Sequence, residues 1–206
     1  PVEPARFVID TPDKENAMLF ARVDLPANLS DADMPALITA DWIIGGSDGL
    51  SNRIVNRLRQ KEGLSYGSGS NITLPSFGNR AKWSVGAIVA PQNLAQAEKS
   101  LKDELARAYR DGITEAELAE AKRGIIGSRA VNRAQDGMVA SNWVNNLETG
   151  RTWQFSKETE AAIEALTVED VNKALRRFCD VSKLTFALAG DLAKAKAAGK
   201  DFAALK

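Results

Sequence analysis

The chain contains no histidine in 206 residues. That excludes any Ser-His or Cys-His catalytic arrangement built from this chain alone, and it removes the imidazole ligands on which most catalytic zinc sites rely. The one cysteine, Cys179, can form neither an internal disulfide nor a thiolate cluster; beside Phe178 it reads as a packed free thiol. No stretch approaches the roughly 18 consecutive apolar residues of a membrane-spanning helix. Charge excess is missing too: 27 Lys and Arg balance 27 Asp and Glu, so there is no bulk electrostatic case for nucleic acid or an anionic membrane. The chain begins at Pro1 without an initiator Met or a signal-peptide pattern, as expected of a processed or trimmed piece.

What remains is an ordinary globular composition, with neither internal repeat nor low-complexity linker. It predicts one domain over 1–206 with a sizeable core, residues 1–5 and 192–206 being a peripheral leader and tail. Strands are predicted at 6–10 and 17–25, the second because Ala17, Leu19, Ala21, Val23 and Leu25 alternate with polar residues. A helix over 35–44 follows, then a second over 48–62. Alternation places strands at 64–74 and 81–89; in the first, Tyr66, Ser68, Ser70, Ile72 and Leu74 share one face. The short polar link between them argues for an antiparallel pair. Four helices come next: 94–111 on an apolar stripe ending at Gly112, one opened by the capping box of Thr114 and Glu117, one over 136–150, and one capped at Thr167. Met138, Trp143 and Leu147 are the packing candidates of the third. The nearly unbroken apolar run 183–189 reads as a strand buried on both faces. Fold class follows: α+β, a two-layer sandwich of a largely antiparallel sheet with helices on one face.

The most informative stretch is 45–66. Leu50, Ile54 and Leu58 recur at helical spacing, Gly63 stands where a helix would end, and Tyr66 opens the next strand. Arg59 and Tyr66 are thus held at a set separation, seven residues apart. The spacing alone permits two readings: a guanidinium and a phenol presented together, or an Arg paired with Glu62 beside a Tyr that pads the sheet. Gly67, Ser68, Gly69 and Ser70 similarly permit close approach by another backbone, or simply an edge strand or bulge of small residues. Gly45-Gly46-Ser47-Asp48-Gly49 lacks the Lys and the preceding strand of a phosphate loop and reads as a helix–helix turn. Glu117 and Glu120, three apart on a helix, have no His or further acids to complete a metal site.

The run Leu58-Arg59-Gln60-Lys61-Glu62-Gly63-Leu64-Ser65-Tyr66-Gly67 closely resembles a hallmark of the pitrilysin/insulinase family of zinc metallopeptidases, to which the mitochondrial processing peptidase belongs. Residues 40–50, Glu117 to Lys122, and Leu188-Ala189-Gly190-Asp191 extend the resemblance over nearly the whole chain. It implies a processing-peptidase-like half of a clam-shaped enzyme closing on an unfolded peptide. One half of such enzymes carries His-x-x-Glu-His; a chain without histidine resembles the other, zinc-free, substrate-binding half. The resemblance then assigns Arg59 and Tyr66 to peptide orientation and oxyanion stabilisation, and residues 67–70 to a strand along which substrate lies. Zinc and the general-base Glu are expected on a histidine-containing partner half, fused upstream or separate, and the chain alone is expected to be inactive. The same resemblance allows another role, since some relatives are structural core subunits of respiratory complexes; a peptide-binding module without a protease partner is a third. No compartment is encoded; family habit points to the bacterial periplasm or an organelle.

Overall fold

The computed structural model describes residues 3–47 and 51–197. Leu50, the Asp48-Gly49 part of the loop and the tail beyond Ala197 lie outside the described residues.

Among the described residues, five strands form one sheet in the order β1-β5-β2-β4-β3. They are β1 (Arg6–Asp10), β2 (Ala17–Leu25), β3 (Ser65–Thr73), β4 (Ala81–Val89) and β5 (Thr185–Gly190). Only the β1–β5 pair is parallel; the other three pairings are antiparallel. The expected two-layer α+β sandwich is what folds. In β2, Ala17, Leu19, Ala21 and Leu25 are buried while Met18 and Phe20 are exposed, and in β4 Ala81, Trp83, Val85, Ala87 and Val89 are buried while Ile88 is exposed. One face of the sheet is therefore covered by helices and the other is open.

The covering layer comprises α1 (Met34–Asp41), the short α2 (Arg53–Val55), α3 (Leu94–Asp111), α4 (Glu115–Arg133), α5 (Asp136–Thr149), α6 (Trp153–Ala165) and α7 (Val168–Phe178), with α8 (Leu192–Ala197) closing the described chain. Leu101 and Leu105 of α3 and Val171, Leu175 and Phe178 of α7 fill the core, where Phe178 packs on Trp83 at 4.8 Å between ring centroids. The predicted capping box of Thr114 with Glu117 forms, and the predicted cap at Thr167 is a capping box too, with Asp170.

Four expectations need correction. The 35–44 and 48–62 helices are not α-helical throughout: α1 runs into a π-helical turn at Trp42–Gly46, and α2 into another at Asn56–Lys61. A further helix, α6, lies where no element was expected; only Thr159 and Ile163 of it are buried, too few to mark a helical period. Met138, Trp143 and Leu147 are not packed: they are 39%, 51% and 68% exposed, and α5 has no buried residue. Finally, β5 alternates instead of being buried twice over, because helices cover only one face of the sheet and Ala187 and Ala189 lie on the other, opposite the exposed Phe20 and Met18.

Candidate functional site

Arg59 is delivered by the π-helical end of the second helix. Asn52 caps that helix by accepting the Val55 N–H at 2.9 Å, and Ile54 and Leu58 anchor it in the core. Its far end is fixed by Gly63, whose φ of +62° suits a residue without Cβ, and by the Leu64 N–H donating to the Leu58 carbonyl at 2.8 Å. Two residues later the chain is in β3.

Tyr66 occupies a β-bulge. Ser65 lies opposite Val89 and Gly67 opposite Ile88, which are consecutive residues, so Tyr66 is the extra residue between them. Strict alternation would have put Tyr66 on the same face as Ser68, Ser70 and Ile72; the bulge releases it, and it is 87% exposed. The buried Ser65 hydroxyl lies 2.9 Å from the Gly67 carbonyl and 2.8 Å from the Ile88 carbonyl, donating its single proton across the bulge. The Arg59 guanidinium carbon stands 5.0 Å from the centroid of the Tyr66 ring. A cation over an aromatic face at that distance is a stabilising contact of about 0.5–1 kcal/mol at an exposed position. Arg59 and Glu62 do not pair: Glu62 binds Arg57 at 2.6 Å and accepts the Ser100 hydroxyl at 2.5 Å. Among the described residues Arg59 has no carboxylate partner, so its donors stay available.

The strand beyond the bulge is braced by a residue that sequence reasoning passed over. Asp41, buried at the end of α1, accepts from the Ser70 hydroxyl at 2.6 Å, the Trp83 indole N–H at 2.8 Å and the Ile72 N–H at 3.1 Å. Burial holds its carboxyl above the ordinary carboxylate range, against the three donors that favour the charge. A lone acid inside the apolar run 34–44 was the available signal. Gly45 lies against the same strand: a Cβ there would come 2.7 Å from the Ser70 nitrogen. Of the predicted strand residues, Gly67 and Gly69 sit opposite Ile88 and Gly86 on the open face, while Ser68 and Ser70 sit opposite Ala87 and Val85 on the helix face.

The Glu117 carboxylate is committed to structure. Arg53 grips it through two contacts of 2.6 and 2.7 Å while also donating to the Gly112 carbonyl at 2.8 Å. Burial raises its pKa, but Arg53 and the Thr114 cap together outweigh that and hold it below the ordinary range. Among the described residues no three His, Cys, Asp or Glu side chains converge, so the donor set for a zinc ion is not assembled here. Cys179 is sealed in the core, where burial pushes its thiol up to about 12 and leaves it unreactive.

The family model of the peptidase M16 inactive domain matches residues 1–125. No curated protein matches the chain. Among solved structures, the peptidase M16 inactive domain from Pseudomonas fluorescens superposes with a TM-score of 0.80 at 23% identity, over 91% of this chain and 44% of that one. The inactive peptidase domain of a putative zinc protease from Bordetella parapertussis gives 0.69 at 19% identity, over 84% and 91%. A chain of complex III2 from Candida albicans gives 0.74 at 16% identity, over 98% and 49%. The chain thus spans less than half the length of the Pseudomonas and Candida chains it matches. With more than half of its sequence under one family model and a sheet and helix layer of the same fold, the chain belongs to the peptidase M16 inactive domain family, the inactive peptidase-like domains of M16 zinc proteases.

Proposed function

We propose that residues 1–206 form one domain, the substrate-binding and non-catalytic half of a zinc-dependent endopeptidase, completed by a histidine-bearing partner half. The observation that carries this reading is the Arg59–Tyr66 pair: stacked, exposed, without a carboxylate partner among the described residues, and mounted on a braced bulge. Zinc on the partner, when bound, supplies Lewis-acid activation of the scissile carbonyl. This chain's part is to hold the peptide and meet the charge that develops on that carbonyl. The Tyr66 hydroxyl is a neutral donor suited to an oxyanion, and Arg59 offers fixed, forked donors to a neighbouring peptide carbonyl. Stacking holds the two side chains against one another, and donors already in place need little reorganisation when the charge appears. The unfolded peptide lies alongside residues 67–70, where small side chains admit its backbone.

The test is the chain co-expressed with its His-x-x-Glu-His half, supplied with zinc and given unfolded peptides, with each half assayed alone. The Tyr66→Phe change is expected to lower kcat by about 10²-fold or more while KM changes little. Equal turnover by parent and variant removes Tyr66 from the mechanism. The likeness to a complex III chain favours one other reading, a structural subunit without proteolysis; a tight, zinc-loaded assembly that cleaves no peptide would establish it.

A further inference from the structure

A cavity of about 380 Å³ opens among α4, α5 and α6, with Leu29 and Ser76 of two neighbouring loops also in its wall. Neither Arg59 nor Tyr66 lines it. Its α5 wall reverses what packing alone would choose. Met138, Asn142, Asn145, Asn146 and Thr149 recur at helical spacing and share the face of α5 turned to the cavity. Trp143, Val144 and Leu147 lie outside, 51%, 62% and 68% exposed. A helix laid on its neighbours to bury apolar surface would present these three and leave the amides in water.

The inward amides do not satisfy one another. Among the described residues the side chains of Asn132, Asn142, Asn145 and Asn146 make no hydrogen bond, so their donors and acceptors stand open to the cavity. Three guanidiniums complete the wall. Arg129 and Arg133 both donate to one oxygen of Glu160, and Arg129 also donates to the Ser156 hydroxyl at 2.8 Å. Arg151 donates to the Ser30 hydroxyl at 2.9 Å and stands 4.3 Å from the centroid of the Phe155 ring. Among the described residues Glu160 is the one carboxylate paired with any of these arginines, and no Asp or Glu lines the cavity. Two of the three positive charges are thus left without a counter-charge.

We propose that this cavity binds a small organic anion that carries two negative charges and hydroxyl groups. The guanidiniums take its acidic oxygens, the Asn carboxamides take its hydroxyls, and Trp153 and Phe155 flank its carbon skeleton. A carboxylate and a phosphate meet a guanidinium alike, so the chemistry covers hydroxy-dicarboxylates and sugar phosphates. The volume is that of a small-molecule pocket with polar groups converging on it, whereas the core of a protein–protein contact is apolar, and α5 carries its apolar residues on the other side. This site goes beyond the peptide-holding reading and does not depend on it.

The test is calorimetric titration of the chain, and of its assembly with the His-x-x-Glu-His half, with tartrate and with glucose 6-phosphate, against sorbitol at matched ionic strength. At least one anion is expected to bind with a stoichiometry of one and to shift the side-chain amide NMR signals of Asn142, Asn145 and Asn146, while sorbitol does neither. Binding of tartrate alone or of glucose 6-phosphate alone supports the site and fixes its acid as carboxylate or phosphate. Arg151→Gln and Arg133→Gln should each weaken binding about tenfold or more. Asn145→Asp, which sets a like charge on the exposed part of the wall, should weaken it comparably and serves if an arginine variant does not fold. Arg59→Ala should leave the affinity unchanged, which separates this site from the peptide-holding pair. No binding above sorbitol, or binding that survives all three changes in the wall, would overturn the proposal. So would an anion taken by the chain alone and excluded from the assembly, since the occupant would then be an acidic segment of the partner half.

Discussion

The strand that carries Tyr66 is tied to buried polar groups; the helix that carries Trp143 has, among the described residues, no buried residue at all. Both aromatics are more than half exposed, on β3 and α5 respectively. On β3 the Ser65 hydroxyl spans the bulge and the Asp41 carboxylate gathers donors from Ser70, Ile72 and Trp83. Helix α5 buries no residue, and the Trp143 ring lies against that of Trp153, 6.0 Å away between ring centroids. Directional bonds to buried groups fix where a side chain points, whereas a surface stack mainly limits how much of it is wet. The difference separates a position under geometric demand from one that tolerates exchange.

Removing the brace should have the largest effect. Asp41→Ala leaves three donors without their acceptor and is expected to lower stability by about 3 kcal/mol or more, read as a lower urea midpoint with an unchanged m value. Asp41 also sets a pH signature. Its folded pKa is raised, so its favourable contribution is complete below the ordinary value of 3.8 and is lost as pH rises through the raised one. Asp41→Asn should flatten that part of the stability profile; an unchanged profile would mean that the carboxyl does not titrate there. Next in size is the Arg53–Glu117 contact that fixes the root of the Arg59 helix. Glu117→Gln should cost about 2 kcal/mol near neutral pH. Because the Glu117 pKa is lowered, the loss appears above the ordinary 4.5 and vanishes as pH falls through the folded value. Ser65→Ala should cost about 1 kcal/mol, with faster hydrogen exchange confined to the bulge amides. At the other end of the comparison, Leu147→Ser on α5 should change stability by no more than about 0.5 kcal/mol. A large loss there would show that α5 is held by more than its visible contacts.

The parts of this fold that the sequence displayed are those with a strong apolar phase. Strands β1, β2 and β4 carry the expected bounds, and Thr114, Thr167 and Gly112 mark helix ends as their chemistry requires. Phase does not report cover, which is why Met138, Trp143 and Leu147 could be assigned a face and still be left exposed. The bulge was silent for a related reason. Between Tyr66 and Ile72 the chain holds only Gly, Ser and Asn, so a one-residue slip that releases Tyr66 puts no apolar side chain out of phase and leaves no trace in the pattern. At the site, the separation of Arg59 and Tyr66 was legible because a helix end and a strand start bracket it. The roles of Asp41 and Ser65 were not, since their partners are backbone groups and residues up to 42 positions away.

The placement of β5 has a consequence for how the protein comes into being. It is the last of the described strands in sequence yet the second in the sheet, inserted between β1 and β2, and Arg6 pairs with Phe186. During synthesis β1 has no neighbour, and β2 is bare along one side, until residues 185–190 emerge. The long wait for loop closure makes assembly slow and leaves unpaired strand borders prone to sticking meanwhile. A chain terminated before Thr185 should accumulate as insoluble aggregate even though every residue of the Arg59–Tyr66 corner would be present.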